Sequence, residues 1–146
     1  MTRLILALFL AAVSAPPALE GAPALEAATV EVAVTGARSD DGQAVALLFA
    51  SARGFPADTD RAAYSASAAL EGGRATIRVP AVAPGTYSIV VFHDADGDGE
   101  IKRNLLGMPR EGIGVTRFDG GRPRFGRTTV EVPASGARFT VGLNYR

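Results

Sequence analysis

Cysteine is absent from the 146 residues, so neither a disulfide nor a thiolate metal site can form in any redox compartment. There is no tryptophan, and a single histidine, His93, excludes a zinc centre built on clustered imidazoles. Lys102 is the sole lysine, so every other basic side chain is an arginine. Neither sign of charge prevails: fifteen basic and fifteen acidic residues cancel, and no net field would gather nucleic acid or an anionic membrane surface. What the chain does have is 17 Gly and 9 Pro beside a 47% hydrophobic share, a composition of short strands and frequent turns rather than long helices. At this length one domain is expected, stabilised by packing.

The only long apolar run comes first. Arg3 supplies a positive start, Leu4 to Val13 are uninterrupted by polar residues, and Ser14, Ala15, Pro16 and Pro17 break the run. That run is about half the length needed to cross a bilayer as a helix. The layout is that of a cleaved secretory signal, with small-residue cut sites after Ala15 or, preferred, after Ala24. The expected division is residues 1–24 as signal peptide and 25–146 as one domain, exported to the periplasm or the extracellular space. The run is too short for a transmembrane anchor to be expected, and no cysteine follows it to carry a lipid anchor.

The remainder reads as strands. Val30, Val32 and Val34 alternate with Glu31 and Ala33, the period of a strand with one buried face. Ala44 to Ala50 is continuously apolar and short, fitting a strand covered on both sides. Tyr64 to Leu70 is expected to form a hairpin across Gly72 and Gly73 with a return strand that points Ala75, Ile77 and Val79 inward. Thr86 to Phe92 is β-branched and aromatic, and Ile113 to Phe118 and Thr128 to Val132 are further short candidates. At the end, Phe139, Val141, Leu143 and Tyr145 alternate with Arg138, Thr140, Gly142 and Asn144. The expected fold is all-β: an antiparallel β-sandwich of about seven strands, immunoglobulin-like or transthyretin-like.

The most distinctive segment follows Phe92. Asp94, Ala95, Asp96, Gly97, Asp98, Gly99, Glu100 and Ile101 put carboxylates at alternate positions and glycines where the chain must turn. A hard cation takes six to eight oxygens, and acids at the first, third and fifth positions, Gly at the sixth and an apolar eighth residue suit calcium. The pattern fails at the twelfth position, which is Leu105 instead of a bidentate Glu, and at the ninth, where the ammonium of Lys102 would repel the ion. Glu111 folding back and Asn104 offering its carbonyl would complete a ligand set of Asp94, Asp96, Asp98, Glu100, Asn104 and Glu111, with calcium as the one candidate cofactor. Its affinity would be weak, on the order of 10⁻⁴ to 10⁻³ M. The competing reading is an Asx-rich turn whose carboxylates accept bonds from neighbouring backbone N–H groups.

The stretch Pro84-Gly85-Thr86-Tyr87-Ser88-Ile89-Val90-Val91-Phe92-His93-Asp94, then Asp96-Gly97-Asp98-Gly99, Asn104, Leu106-Gly107-Met108-Pro109 and Glu111-Gly112, resembles the bacterial exported family catalogued as domain of unknown function 2141. The likeness is strongest from Gly85 to Val115. It implies a secreted β-sandwich and no known activity. Lys102 stands where that family usually has a further Asp, a departure that weakens a metal reading taken from the resemblance. The loop is more loosely similar to calcium-binding repeats of bacterial surface adhesins, an analogy of fold alone.

Three further chemistries involve these residues and the arginines beyond them. His93 beside Asp94 does not make a Ser-His-Asp triad, because adjacent strand residues point to opposite faces and no nucleophile-elbow motif accompanies them. Asp94 and Glu111 could serve as an acid/base pair of a small envelope hydrolase, the alternative to a non-enzymatic reading. Arg110, Arg117, Arg122, Arg124 and Arg127 could form a patch for phosphate or sulfate groups. The expectation is therefore a non-enzymatic binding or structural module of the cell envelope, its partner a cell-envelope protein or polysaccharide.

Overall fold

Every second residue of β1 (Ala28–Thr35) is buried, Val30 and Val32 completely, because a pleated strand sends alternate side chains to one face. A computed structural model describes residues 27–103 and 110–145; the proposed signal peptide, Asn104 and Leu105 lie outside the described residues. Among the described residues eight strands are present where about seven are expected: β1, β2 (Gln43–Phe49), β3 (Tyr64–Ala69), β4 (Ala75–Val82), β5 (Gly85–Asp94), β6 (Ile113–Val115), β7 (Thr129–Val132) and β8 (Ala137–Gly142). The only helical pieces among the described residues are a 3₁₀ turn at Thr59–Arg61 and one α-turn, α1, at Phe125–Thr128.

The strands form two sheets, one of three in the order β4-β1-β8 and one of five in which β3, β2 and β5 neighbour in turn. On the free edge of β5, β7 pairs with Gly85–Ser88 and β6 with Val90–Phe92. Valines of β1 and β4 meet Ala46, Leu48, Ile89 and Val91 between the sheets, giving the all-β sandwich.

Two details differ from expectation. The hairpin at Gly72 and Gly73 is split, with β3 joining β2 in one sheet and β4 joining β1 in the other, so only Glu71 and Arg74 pair across the turn. Half-buried Ala66 and Ala68 and buried Ile77 and Val79 all pack into the inter-sheet core, which is possible only when the two strands face each other. The second departure is that β8 runs parallel to β1, in register from Val30 with Ala137 to Thr35 with Gly142. Its direction comes from crossing out of the other sheet after β7, not from a hairpin with β1.

The five-stranded sheet is also covered on its outer face. Val45, Leu47, Phe49, Val90, Phe92 and Val115 form a second cluster beneath Phe55, Ile101, Phe118 and Phe125 from the loops. The rings of Phe49 and Phe55 meet edge to face at 5.6 Å, and those of Phe55 and Phe125 at 5.9 Å. Double coverage explains why β2 is apolar from Ala44 to Phe49.

Candidate functional site

The last two residues of β5 are polar and buried, and each faces a different layer. His93, in step with Ile89 and Val91, points to the inter-sheet side; Asp94, in step with Val90 and Phe92, points to the outer side. The imidazole Nε2 lies 2.8 Å from the carbonyl oxygen of Asp41, so Nε2–H donates there and Nδ1 accepts from the Tyr145 hydroxyl at 2.7 Å. Tyr145 in turn accepts the Arg38 N–H at 3.1 Å, and the Arg38 guanidinium stacks 4.3 Å above its ring. His93 thus anchors the C-terminal segment, and no serine hydroxyl among the described residues touches it. Ser88, on the same strand, bonds to Thr128 at 2.7 Å.

Asp94 is completely buried, and its carboxylate is saturated. Oδ1 accepts the N–H groups of Gly97 (2.9 Å) and Asp98 (3.1 Å), while Oδ2 accepts Gly99 N–H (2.9 Å) and the Gln43 side-chain amide (3.1 Å). Burial alone would raise its pKa, but the bonds from Gln43, Gly99, Gly97 and Asp98 outweigh it and hold the group below its ordinary value of 3.8. Gly97 and Gly99 both adopt φ of 75°, the left-handed region that lets three successive N–H groups converge on one carboxylate. Across the sheet Gly42 allows close approach: a side chain there would collide with the Asp94 carbonyl.

The remaining acids are divided. Oxygens of Asp94, Asp96 and Glu111 lie within 4.8 Å of one another. Asp98 instead turns Oδ1 to the Glu100 N–H at 2.9 Å, and Glu100 is exposed outside the trio. Lys102 Nζ contacts Asp96 Oδ2 and sits 3.2 Å from Asp98 Oδ2. Glu111 accepts the Lys102 N–H at 3.4 Å; burial first, then the charges of Asp94 and Asp98, raise its pKa above the usual 4.5 although Lys102 opposes them.

Beside Glu111 the outer layer leaves a groove of about 620 Å³. Ile101, Ile113, Val115 and Phe118 give it apolar walls, and Arg103, Arg122, Glu111 and Tyr145 supply its polar groups. Of the five arginines read as an anion patch, Arg122 alone lines this groove, joined by Arg103, which sequence reasoning passed over. Arg117 is directed instead at the Thr129 carbonyl, 3.4 Å away. Also missed were Gln43, Asp41 and Tyr145, whose bonds to His93 and Asp94 span more than fifty residues and leave no local signal.

The sequence profile of a bacterial family described as "Uncharacterized protein conserved in bacteria (DUF2141)" matches residues 32–140. That span runs from within β1 to within β8 and contains both the acidic loop and β6. No curated protein and no solved structure matches the chain.

Proposed function

Since the chain belongs to the DUF2141 family of bacterial proteins, whose description carries no activity, we propose that it is an exported, non-enzymatic binding module of the cell envelope. Its binding surface is the groove flanked by Arg103 and Arg122. The observation that carries this reading is the state of Asp94. The carboxylate that acid/base chemistry would require is buried and already accepts four hydrogen bonds from its own domain, so it has no lone pair left for a substrate proton or an attacking water. Against the hydrolase alternative, then, the closeness of the Asp94 and Glu111 oxygens is offset by the engagement of one partner.

The apolar walls and two guanidinium groups suit an anionic envelope component that carries an apolar portion. Export is supported by the apolar run at Leu4 to Val13, and no helix among the described residues is long and apolar enough to cross a membrane. A weak calcium site in the acidic loop is favoured by one observation, the grouping of Asp94, Asp96 and Glu111, and is opposed by the Lys102 ammonium beside them.

Titration with anilinonaphthalene sulfonate, an aromatic anion, is expected to give a saturable rise in fluorescence. Decanoate should reverse it and decyltrimethylammonium should not. Replacing both arginines, Arg103→Ala with Arg122→Ala, is expected to weaken the probe roughly tenfold, the loss of about one charge-assisted contact. Unchanged affinity in the double variant, or equal displacement by the cationic competitor, would refute the assignment.

A further inference from the structure

The acidic loop carries its own cation. Its carboxylates crowd one another: oxygens of Asp94, Asp96 and Glu111 share a sphere less than 5 Å across, and Asp98 lies within reach of the same ammonium. Like charges this close need a counter-charge or a proton. Among the described residues the cation paired with this loop is the Lys102 ammonium, whose three donors suit Asp96 and Asp98 at once. The backbone holds this lysine in place, since its N–H meets Glu111 at 3.4 Å and its carbonyl accepts the Arg110 N–H at 2.8 Å.

We propose that the Lys102 ammonium, paired with Asp96 and Asp98, supplies the counter-charge that a divalent ion would otherwise bring to these carboxylates, so that this chain closes the loop without metal, and that removing this one charge opens a calcium site. The donor set does not fit calcium while Lys102 remains. Both Asp94 oxygens are committed to N–H donors, Asp98 Oδ1 is committed to Glu100 N–H, and the free oxygens of Asp96 and Asp98 face the ammonium. An ion of double charge placed among them would meet that ammonium at contact distance and find too few of its six to eight oxygens. The pair is half-exposed, so its effect on stability is small; its consequence is exclusion. Lys102→Asp would turn the repelling group into a ligand beside Asp96, Asp98 and Glu111, and Lys102→Gln would remove the repulsion alone.

Thermal melts of the unmodified protein, Lys102→Asp, Lys102→Gln and Lys102→Arg, each in chelator and in millimolar calcium, test this. The unmodified protein and Lys102→Arg are expected to melt at the same temperature in both conditions. Lys102→Asp should gain on the order of 5 °C in calcium, and Lys102→Gln a smaller rise in the same direction. A calcium-dependent rise in the unmodified protein, or no rise in either charge-removing variant, would overturn the proposal.

Discussion

Asp40 and Asp94 use one device in two surroundings. Asp40 closes the turn between β3 and β4 by accepting the N–H groups of Gly72 and Gly73 at 2.8 and 2.7 Å, and it is exposed. Asp94 closes the acidic loop by accepting Gly97, Asp98 and Gly99 N–H groups, with the Gln43 amide as a fourth donor, and it is buried. In each turn glycines at positive φ aim consecutive amides at the carboxylate. The bonds from Gly73 and Gly72 lower the pKa of Asp40 with little to oppose them, whereas at Asp94 the bonds must first overcome burial. Water therefore decides what each carboxylate is worth: amides released from Asp40 are met by solvent, while a lost Asp94 empties a buried position and leaves the half-buried Gln43 amide without its partner.

The largest effect should come from removing the buried member. Asp94→Ala is expected to lower stability by about 2–4 kcal/mol, the range for emptying a buried, multiply bonded charged site. The shift in urea midpoint measures it, and hydrogen exchange at the Gly97, Asp98 and Gly99 amides should rise in parallel. A loss below about 1 kcal/mol, the worth of a single ordinary hydrogen bond, would mean burial adds nothing and would break the contrast.

Acid titration sharpens the same contrast because Glu111, a neighbour of Asp94, is shifted the other way. The folded pKa of Asp94 lies below 3.8, so its stabilisation is complete above that pH and is lost as pH falls through the folded value. The folded pKa of Glu111 lies above 4.5, so the native state holds that proton more tightly than the unfolded chain, and stability declines as pH rises from 4.5 through the folded value. The melting temperature is thus expected to peak in the window between them. Glu111→Gln should abolish the decline on the alkaline side of the peak and leave the acid fall intact. A Glu111→Gln profile that keeps the alkaline decline would assign it elsewhere.

Much of this frame was legible from residue order. Alternation in β1 and β8 foretold which side chains are buried, down to Leu143 and half-buried Tyr145, and the unbroken apolar run of β2 foretold a strand covered on both faces. Illegible were the facts set by contacts between distant segments. Nothing local says that β4 leaves its hairpin partner for the other sheet, or that β8 runs parallel to β1, because both follow from how two layers close over one core. At the acidic loop the carboxylate spacing is plain in the sequence, but there Lys102 signals only repulsion of an ion. The same charge acts there as attraction for Asp96 and Asp98, and only the fold of the loop decides between the two.

The smallest effect belongs to Asp40, and it is the stricter test. Asp40→Ala removes two short bonds, each to a glycine amide that is near solvent, so counting hydrogen bonds alone would predict about half the loss of Asp94→Ala. Counting water predicts far less, since both amides regain partners on the surface and the Ala37 N–H still bonds the Gly73 carbonyl at 3.1 Å to hold the turn. Measured in the same urea series, Asp40→Ala should fall well short of half the midpoint shift of Asp94→Ala. A shift at or above half would show that bond number, not burial, sets the worth of these carboxylates, and the reading of Asp94 as a buried structural anchor would lose its energetic basis.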